Sequence, residues 1–268
     1  MKSLRHSLSL LTLATLSAQA VAAEAPPAPA TPESAQGGLV MRAWEVGLSH
    51  ARLTRGLPPW RESYLRGEWQ TAGKADVYAG LRTTERYRQD DREAHLGAVL
   101  PVHAAHQLQF EFGASDTHRV LPVRYGALHW YHQPGGGWSL GGGLRHSSYD
   151  SGSSRVFDFG VDRYVAAERF SYTLFAGGPL GSTLNASHRL QWAHYYGDTD
   201  WIGLSVLRGK EAEYARDTGL LTSRVSGASL SGRHGLSARW ALLWSFEQHR
   251  QGDLHTRRGA QLGLRHTF

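Results

Sequence analysis

The chain contains no cysteine among its 268 residues. A protein without cysteine cannot be a disulfide-stapled scaffold, and it can cross an oxidising compartment without forming wrong disulfides. Long apolar runs are also missing, since nothing after the N-terminal segment approaches the ~20 apolar residues that a transmembrane helix needs. The mean hydropathy is −0.41, a polar value. If the chain spans a membrane, it does so with a different kind of element.

A strong charge imbalance is lacking too. The formal charge is +6, and the lysines and arginines are scattered along the chain. Proteins that bind nucleic acid concentrate positive charge in one patch or stripe. We therefore expect no nucleic acid among the partners.

The N-terminal segment has the pattern of a secretory signal. Residues 2–6 form a basic head, residues 8–16 form a short apolar run, and small residues recur up to residue 23. This pattern predicts a signal peptide over residues 1–23. An N-terminal membrane helix is the alternative, but the run is shorter than a span requires. Residues 24–40 are rich in proline and alanine and are predicted to be a disordered periplasmic lead-in.

The remaining chain alternates between apolar and polar residues. Leu108, Phe110 and Phe112 lie on one face of a predicted strand, and Gln109 and Glu111 lie on the other. Such a period of two indicates β-strands rather than helices. In a membrane β-barrel one face of each strand meets lipid and the other meets a wet lumen. The 31 glycines suit a crowded curved sheet, and the 9 tryptophans and 11 tyrosines suit the membrane interfaces.

We predict an all-β fold, a transmembrane antiparallel up-and-down β-barrel over residues 41–268. The segments number about fourteen strands, or twelve if two weak ones are loops. An even count places both ends of the barrel on the periplasmic side, and the predicted connections there are tight. A soluble periplasmic β-sandwich or propeller is the alternative architecture.

The longest predicted connection, residues 209–221, falls on the outer side. Its charged residues are predicted to form a solvated external loop. A constriction folded into the lumen and a contact with lipopolysaccharide are the alternatives. The charged residues are Lys210, Glu211, Glu213, Arg216 and Asp217.

The chain end has the pattern of a closing strand. Phe268, Leu264 and Leu262 share its apolar face and are predicted to be the assembly signal. The expected partners are the outer-membrane insertion machinery, outer-membrane lipids and lipopolysaccharide. The expected location is the outer membrane of a Gram-negative bacterium.

The polar faces of the strands predict which residues line the lumen. Because they carry both signs, they can line an open pore or pair with one another, and limited interior volume favours pairing. The predicted lumen residues are Arg82, Glu111, Arg145, Asp158, Asp162, Glu247 and Arg265.

One set of residues raises the question of catalysis. His146, Ser148 and Asp150 share a face near the predicted outer rim. A serine hydrolase needs a histidine on the serine oxygen and an acid that orients the histidine. No nucleophile motif flanks these residues, so we predict no catalytic residue. A barrel-type lipid-modifying hydrolase is the alternative.

We predict neither a metal site nor a cofactor. Two histidine pairs and two aspartates have the residue types of ligands, but no cysteine or matching acidic cluster completes a site. Interface histidines and a hairpin turn explain them better. The residues are His103, His106, His129, His132, Asp198 and Asp200.

Several segments resemble one protein family in their order and composition. They are GLRHSSYD at 143–150, GVDRYV at 160–165, GDTDWIGLS at 197–205, RGKEAE at 208–213, SRV at 223–225, RW at 239–240 and LGLRHTF at 262–268. Together they resemble the YaiO family of outer-membrane β-barrel proteins over about residues 40–268, most strongly after residue 138.

The resemblance implies an outer-membrane barrel without an assigned catalytic reaction. Some members of the family carry helical repeats before the barrel or accompany polysaccharide machinery. This chain has no such repeat, and the family offers no catalytic or ligand residue to transfer. We therefore expect a non-enzymatic barrel, with a pore or an export element for polysaccharide or small solutes as its role.

Overall fold

The computed structural model describes residues 39–71, 75–197, 199–215 and 219–268. The predicted signal peptide and residues 24–38 of the predicted lead-in lie outside these ranges. Fourteen antiparallel strands follow one another in chain order. They are β1 (Val40–Leu53), β2 (Trp60–Gln70), β3 (Asp76–Arg86), β4 (Gln89–His103), β5 (His106–Ser115), β6 (Arg124–Gly135), β7 (Trp138–Tyr149), β8 (Gly152–Val165), β9 (Glu168–Pro179), β10 (Asn185–Tyr196), β11 (Asp200–Ala215), β12 (Gly219–Gly235), β13 (Trp240–Gln251) and β14 (His255–Thr267).

The sheet closes on itself into a barrel. Each strand pairs with the strand before it, and β1 pairs with β14 so that Leu48 lies opposite Leu262. Closure satisfies the backbone groups of every strand without water, which is what the hydrocarbon of a membrane demands. The predicted fold and strand number are confirmed, and the sandwich, propeller and twelve-strand alternatives are wrong. Within the described ranges no helix is long and apolar enough to span a membrane.

The alternating pattern divides the wall into two faces. The outward face carries large apolar side chains that are exposed, for example Leu48 (66%), Leu81 (61%) and Phe112 (62%). A soluble protein would bury such residues, whereas a barrel in a membrane presents them to lipid. In the middle of the strands the polar residues alternate with these and face the interior.

Two openings follow from the strand directions. The terminal mouth lies where β1 begins and β14 ends, and the outer mouth lies at the opposite end. The predicted loop over residues 209–221 is wrong, because β11 continues to Ala215 and β12 starts at Gly219. Glu211 lies opposite Ser223 in this extended hairpin. The hairpin extends beyond the membrane, where both faces of a strand can carry charged residues. A run of charged residues therefore does not by itself indicate a loop here.

Aromatic rings collect on the outward face near the terminal mouth. Trp44 meets Trp240 edge-on at 5.4 Å, and His266 lies 4.6 Å from Trp240 and 4.7 Å from Phe268. Amphipathic rings favour this depth, between headgroups and acyl chains. Phe268 is 65% exposed and its amide donates to the Arg42 carbonyl at 3.1 Å, so the last residue still belongs to the closing ladder. Leu262 points outward on the same strand and is 59% exposed.

The connection over residues 116–123, at the outer mouth, is held down by one carboxylate. Asp91 is 1% exposed and accepts the amides of Arg119 (2.9 Å), Val120 (2.6 Å) and Leu121 (2.8 Å). Backbone amides that converge on a charged oxygen form strong hydrogen bonds. Beside it, the Arg92 amide donates to Asp116 and lowers the pKa of that carboxyl below its usual value.

We predict that Asp91→Asn loosens this connection. The amide of asparagine removes the charge and turns an N–H donor toward backbone N–H groups. We expect local opening to become easier by about 2 kcal/mol, so that trypsin cleaves after Arg119 about 30-fold faster. The measurement is limited trypsinolysis of whole cells followed by mass spectrometry of the fragments.

Asp90→Asn is the matched control, because it removes the same charge from an exposed neighbour. It should be cleaved at the wild-type rate. Equal cleavage of the wild type and both variants would show that Asp91 does not hold the connection.

Candidate functional site

The inward face of the barrel is the candidate functional site. The predicted lumen residues lie on this face, and each has a partner of opposite charge or a histidine. The partners are Glu93 for Arg82, Arg145 for Glu111, His129 for Asp158, Arg169 for Asp162, Arg257 for Glu247 and Glu68 for Arg265. The contact distances run from 2.6 Å for Arg265–Glu68 to 3.6 Å for Arg145–Glu111.

Glu111 is the centre of the largest polar network. Its two carboxylate oxygens accept the hydroxyls of Tyr78 and Tyr125, each at 2.9 Å. The Arg145 guanidinium lies 3.6 Å from the same carboxylate and stacks over the Tyr125 ring at 3.6 Å. Gln109 donates to the Tyr78 hydroxyl at 2.9 Å. The carboxylate is thus compensated by hydrogen bonds and by a cation, which a half-buried charge requires.

Tyr78 reaches Glu111 across an intervening strand. Tyr78 belongs to β3 and Glu111 to β5, and the residue between them in the ladder is Gly97 of β4. A Cβ atom built on Gly97 would lie 2.2 Å from Tyr78 Cζ and 2.4 Å from its hydroxyl oxygen. Only a residue without a side chain leaves room for the ring to lie flat over β4.

The same arrangement recurs around the wall. His129 of β6 meets Asp158 of β8 at 2.9 Å, and the residue between them on β7 is Gly143. A Cβ on Gly143 would lie 2.1 Å from His129 Cδ2 and 2.8 Å from Asp158 Oδ1. We call such contacts glycine-spanned bridges: two polar side chains from flanking strands that meet over an inward glycine.

Another set of ties crosses the seam between the first and last strands. Arg265 of β14 passes β1 and donates to both oxygens of Glu68 on β2, at 2.9 and 2.6 Å. Tyr64 of β2 donates to Glu45 at 2.6 Å and accepts from Gln261 of β14 at 3.2 Å. These side chains reinforce the ladder that closes the barrel. The bidentate arginine–carboxylate pair is stronger than the single hydrogen bonds made by tyrosine and glutamine.

The wall formed by β11–β13, next to β14, is built differently. Two inward rows across β11, β12 and β13 consist mostly of glycine and serine, and the rows on either side of them hold larger residues such as Leu207 and Leu243. One row joins Gly203, Ser231 and Ser245. The next begins with Ser205 and Ser229 and ends with Glu247. These inward side chains are shorter than the arginines, tyrosines and glutamates of the paired charges, and we call the two rows the short-residue strip.

The outer half of the lumen is tightly packed. Thr84 is 1% exposed, Arg86 7%, Tyr149 7% and His255 4%, although all face the interior. Trp60 is 6% exposed and has the guanidinium groups of Arg86 and Arg257 at 4.6 and 4.8 Å from its ring. Side chains rather than a long loop therefore narrow the outer mouth.

The residues of the hydrolase alternative do not assemble. In the described part of the chain no hydrogen bond joins Ser148 to His146, and the Asp150 carboxylate lies 3.2 Å from His118. His146 is exposed on the outward face. In a serine hydrolase the serine oxygen contacts the histidine, and the histidine contacts the orienting acid. Neither contact is formed by these residues.

The candidate metal ligands have other contacts. His106 stacks on His132 at 4.4 Å and accepts from Trp130 Nε1 at 3.2 Å, within the outward aromatic band. Asp200 accepts the Gly235 amide at 2.8 Å, as a turn residue does, and Asp198 lies outside the described residues. Among the described residues no group of three or more potential ligands could hold a metal ion.

Some members of the network were not predicted. The sequence pattern alone gives no specific role to Tyr64, Tyr78 and Tyr125, or to Glu68 and Glu93. Strand alternation could have identified them, because each lies on the same face of a strand as the inward polar residues. A tyrosine placed opposite an inward glycine is the additional sign.

Comparison with known protein families gives a match over residues 42–214, to the YaiO membrane beta barrel domain. This chain belongs to the YaiO family. The match includes most of the charged wall and ends in β11, so the last three strands of this YaiO barrel lie beyond it. No curated protein sequence matches the chain at a significant level.

Solved outer-membrane barrels share the fold of this YaiO protein. A structure described as a bacterial polysaccharide outer membrane secretin is 8% identical, with a TM-score of 0.55, and the alignment covers 85% of this chain and 98% of that one. A loop-deletion variant of OmpT, an outer membrane protein of Vibrio cholerae, is 6% identical with a TM-score of 0.52, over 87% and 99% of the two chains. The family and the fold locate the protein in the outer membrane, as predicted.

We predict that Gly97→Ala breaks the bridge between Tyr78 and Glu111. The new methyl group occupies the space of the tyrosine ring, so the hydroxyl has to leave the carboxylate. We expect the free energy of unfolding to fall by about 1–3 kcal/mol. The measurement is a guanidinium titration of the barrel in lipid vesicles, followed by tryptophan fluorescence.

Gly160→Ala is the control for this substitution, since Gly160 also faces inward and a Cβ there would have its nearest contact at 3.8 Å. It should change stability by less than about 0.5 kcal/mol. An equal loss of stability in the two variants would show that Gly97 does not stabilise the barrel by leaving room for the Tyr78–Glu111 bridge.

Proposed function

We propose that this protein is a non-enzymatic passage for small polar solutes across the outer membrane. The observation that carries the proposal is the asymmetry of the lumen wall. Side chains tied by ion pairs and glycine-spanned bridges line one part, and short serines and glycines line the strip over β11–β13. A solute would move along that strip, against hydroxyl groups that can replace part of its hydration shell.

The packing of the outer mouth supports a small solute. Residues such as Trp60 and Tyr149, which are 6% and 7% exposed, reduce the opening there. The pairing of the predicted lumen residues with opposite charges supports a polar, uncharged solute, because these pairs give little net field to attract one sign of ion.

Export of polysaccharide is the second candidate. One protein of similar fold is described as a polysaccharide secretin, but a likeness at 8% identity concerns the fold alone. An extended glycan would require the packed residues of the outer mouth to move apart. For this reason we place small solutes first and polysaccharide second.

The non-enzymatic part of the proposal rests on the inward and rim residues together. The serine and histidine of the hydrolase alternative have no mutual hydrogen bond in the described part of the chain, and the buried carboxylates described above are held by arginine, tyrosine, histidine or, for Asp91, backbone amides. A carboxylate held in this way is compensated and poorly placed to act as a base.

The remaining partners belong to the same proposal. Lipids and lipopolysaccharide would cover the outward apolar belt, and the insertion machinery would engage the closing strand through Leu262, Leu264 and Phe268. Nucleic acid is not among the proposed partners.

We predict that Ser231→Trp obstructs the passage. Tryptophan adds a large side chain to the middle of the short-residue strip, and we expect the single-channel conductance of the purified barrel to fall by about half or more. The measurement is planar-bilayer recording, with swelling of liposomes in small sugars as a second readout.

Leu230→Trp serves as the control, because Leu230 directly precedes Ser231 on β12, points to lipid and is 39% exposed. Its conductance should equal that of the wild type. The proposal would be abandoned if the folded wild-type barrel showed neither conductance nor liposome swelling.

A further inference from the structure

A small cavity lies in the outer half of the lumen. It measures about 30 Å³ and is bordered by Arg189, Glu247, His249 and Arg257, with Phe175 and serines of the short-residue strip beside them. Such a volume accommodates a group of about two water molecules, the size of a carboxylate or a phosphate oxygen cluster. Two guanidinium groups and an imidazole around one small space are an unusual concentration of donors.

The arginines of this cavity are unequally compensated. Arg257 is 4% exposed and pairs with Glu247 at 2.9 Å. Arg189 stacks over the Phe175 ring at 5.0 Å, and within the described residues no carboxylate lies within ion-pair distance of it. A ring face offsets a buried cation only in part. An anion in the cavity would supply the missing partner.

A second cation without a carboxylate partner among the described residues lies near Arg257, outside the cavity lining. Arg86 lies on the Trp60 ring that Arg257 also contacts, and it is 7% exposed. The described part of the chain places no carboxylate within ion-pair distance of Arg86 either. The acid nearest in the ladder, Glu62, accepts the Thr84 hydroxyl at 3.1 Å and lies 3.6 Å from Arg82.

One polar atom without a protein partner belongs to His249 in the cavity lining, and others belong to side chains around Arg257. Trp60 Nε1, His249 Nε2 and His255 Nδ1 are buried without a hydrogen-bond partner, and so is Glu211 Oε1. Buried polar atoms in folded proteins almost always have a partner, so atoms without one indicate a missing group. Three of the four are ring nitrogens that can donate, which suits a ligand rich in oxygen acceptors.

We propose that this cavity is a binding site for a small oxyanion, a carboxylate or a phosphate, held by Arg189, Arg257 and His249. Glu247 remains on Arg257 and fixes its guanidinium, while Arg189 provides the unpaired charge. The site does not depend on passage of solutes through the barrel, because it would bind its ligand at equilibrium even in a barrel that conducts nothing.

The test is isothermal titration of the full-length folded barrel in detergent, at constant ionic strength. The probes are inorganic phosphate, a hexuronic acid as the carboxylate and glucose as the uncharged sugar. We expect phosphate or the uronic acid to bind and glucose not to bind. Binding of phosphate alone would identify a phosphate site, and binding of the uronic acid alone a carboxylate site.

Arg189→Gln removes the unpaired cation and should weaken binding about tenfold or more, the loss of one charge-assisted hydrogen bond. Arg163→Gln is the matched control, because Arg163 also stacks on a ring, Trp138 at 4.9 Å, but on the outward face. It should bind as the wild type does. Arg189→Lys keeps the charge but loses the planar guanidinium, so its affinity for the anion should lie between those of the wild type and Arg189→Gln. This variant keeps the test valid if Arg189→Gln does not fold.

Absence of binding by both anions would overturn the proposal. Equal weakening by Arg189→Gln and Arg163→Gln would do so as well, since it would show that arginines attract anions irrespective of the cavity.

Discussion

The structure depends on one constraint, that backbone N–H and C=O groups cannot remain unpaired in hydrocarbon. The pairing of β1 with β14 meets this constraint by leaving no edge strand. Once the sheet is closed, alternation assigns every second side chain to lipid and the others to the interior. The lipid face has to be apolar in the middle of the wall, so the charge there lies on the inward face, and outward charges such as Arg61, Arg163 and Arg258 lie toward the strand ends.

Crowding inside the cylinder explains the glycine-spanned bridges. The inward charges need partners, and the partner often lies two strands away, as Glu111 does from Tyr78. Gly97 and Gly143 remove the side chain that would stand between such groups. Bridges of this kind join strands in one part of the wall, while rows of short serine and glycine side chains lie on β11–β13. The proposed passage and the proposed anion site both border that second region.

Much of this could be predicted from the sequence, because a period of two is a local signal. It assigned Leu108, Phe110 and Phe112 to one face and the lumen carboxylates to the other, and it gave the number of strands. The contact between Tyr78 and Glu111 could not be predicted, since it requires the register of three strands together. The extended hairpin up to Ala215 was missed because a strand that rises past the membrane loses its apolar face. The hydrogen bonds between Asp91 and the connection over residues 116–123 could not be predicted either, because they join residues far apart in sequence.

Closure of the sheet between its first and last strands is the central claim, and a distance between spin labels tests it most directly. The chain has no cysteine of its own, so Leu48→Cys and Leu262→Cys introduce two unique labelling sites on lipid-facing, directly paired residues. Paired strands lie about 5 Å apart. The account predicts strong dipolar broadening in the doubly labelled protein in lipid vesicles. A spectrum equal to the sum of the two single-label spectra would place β1 and β14 apart and contradict it.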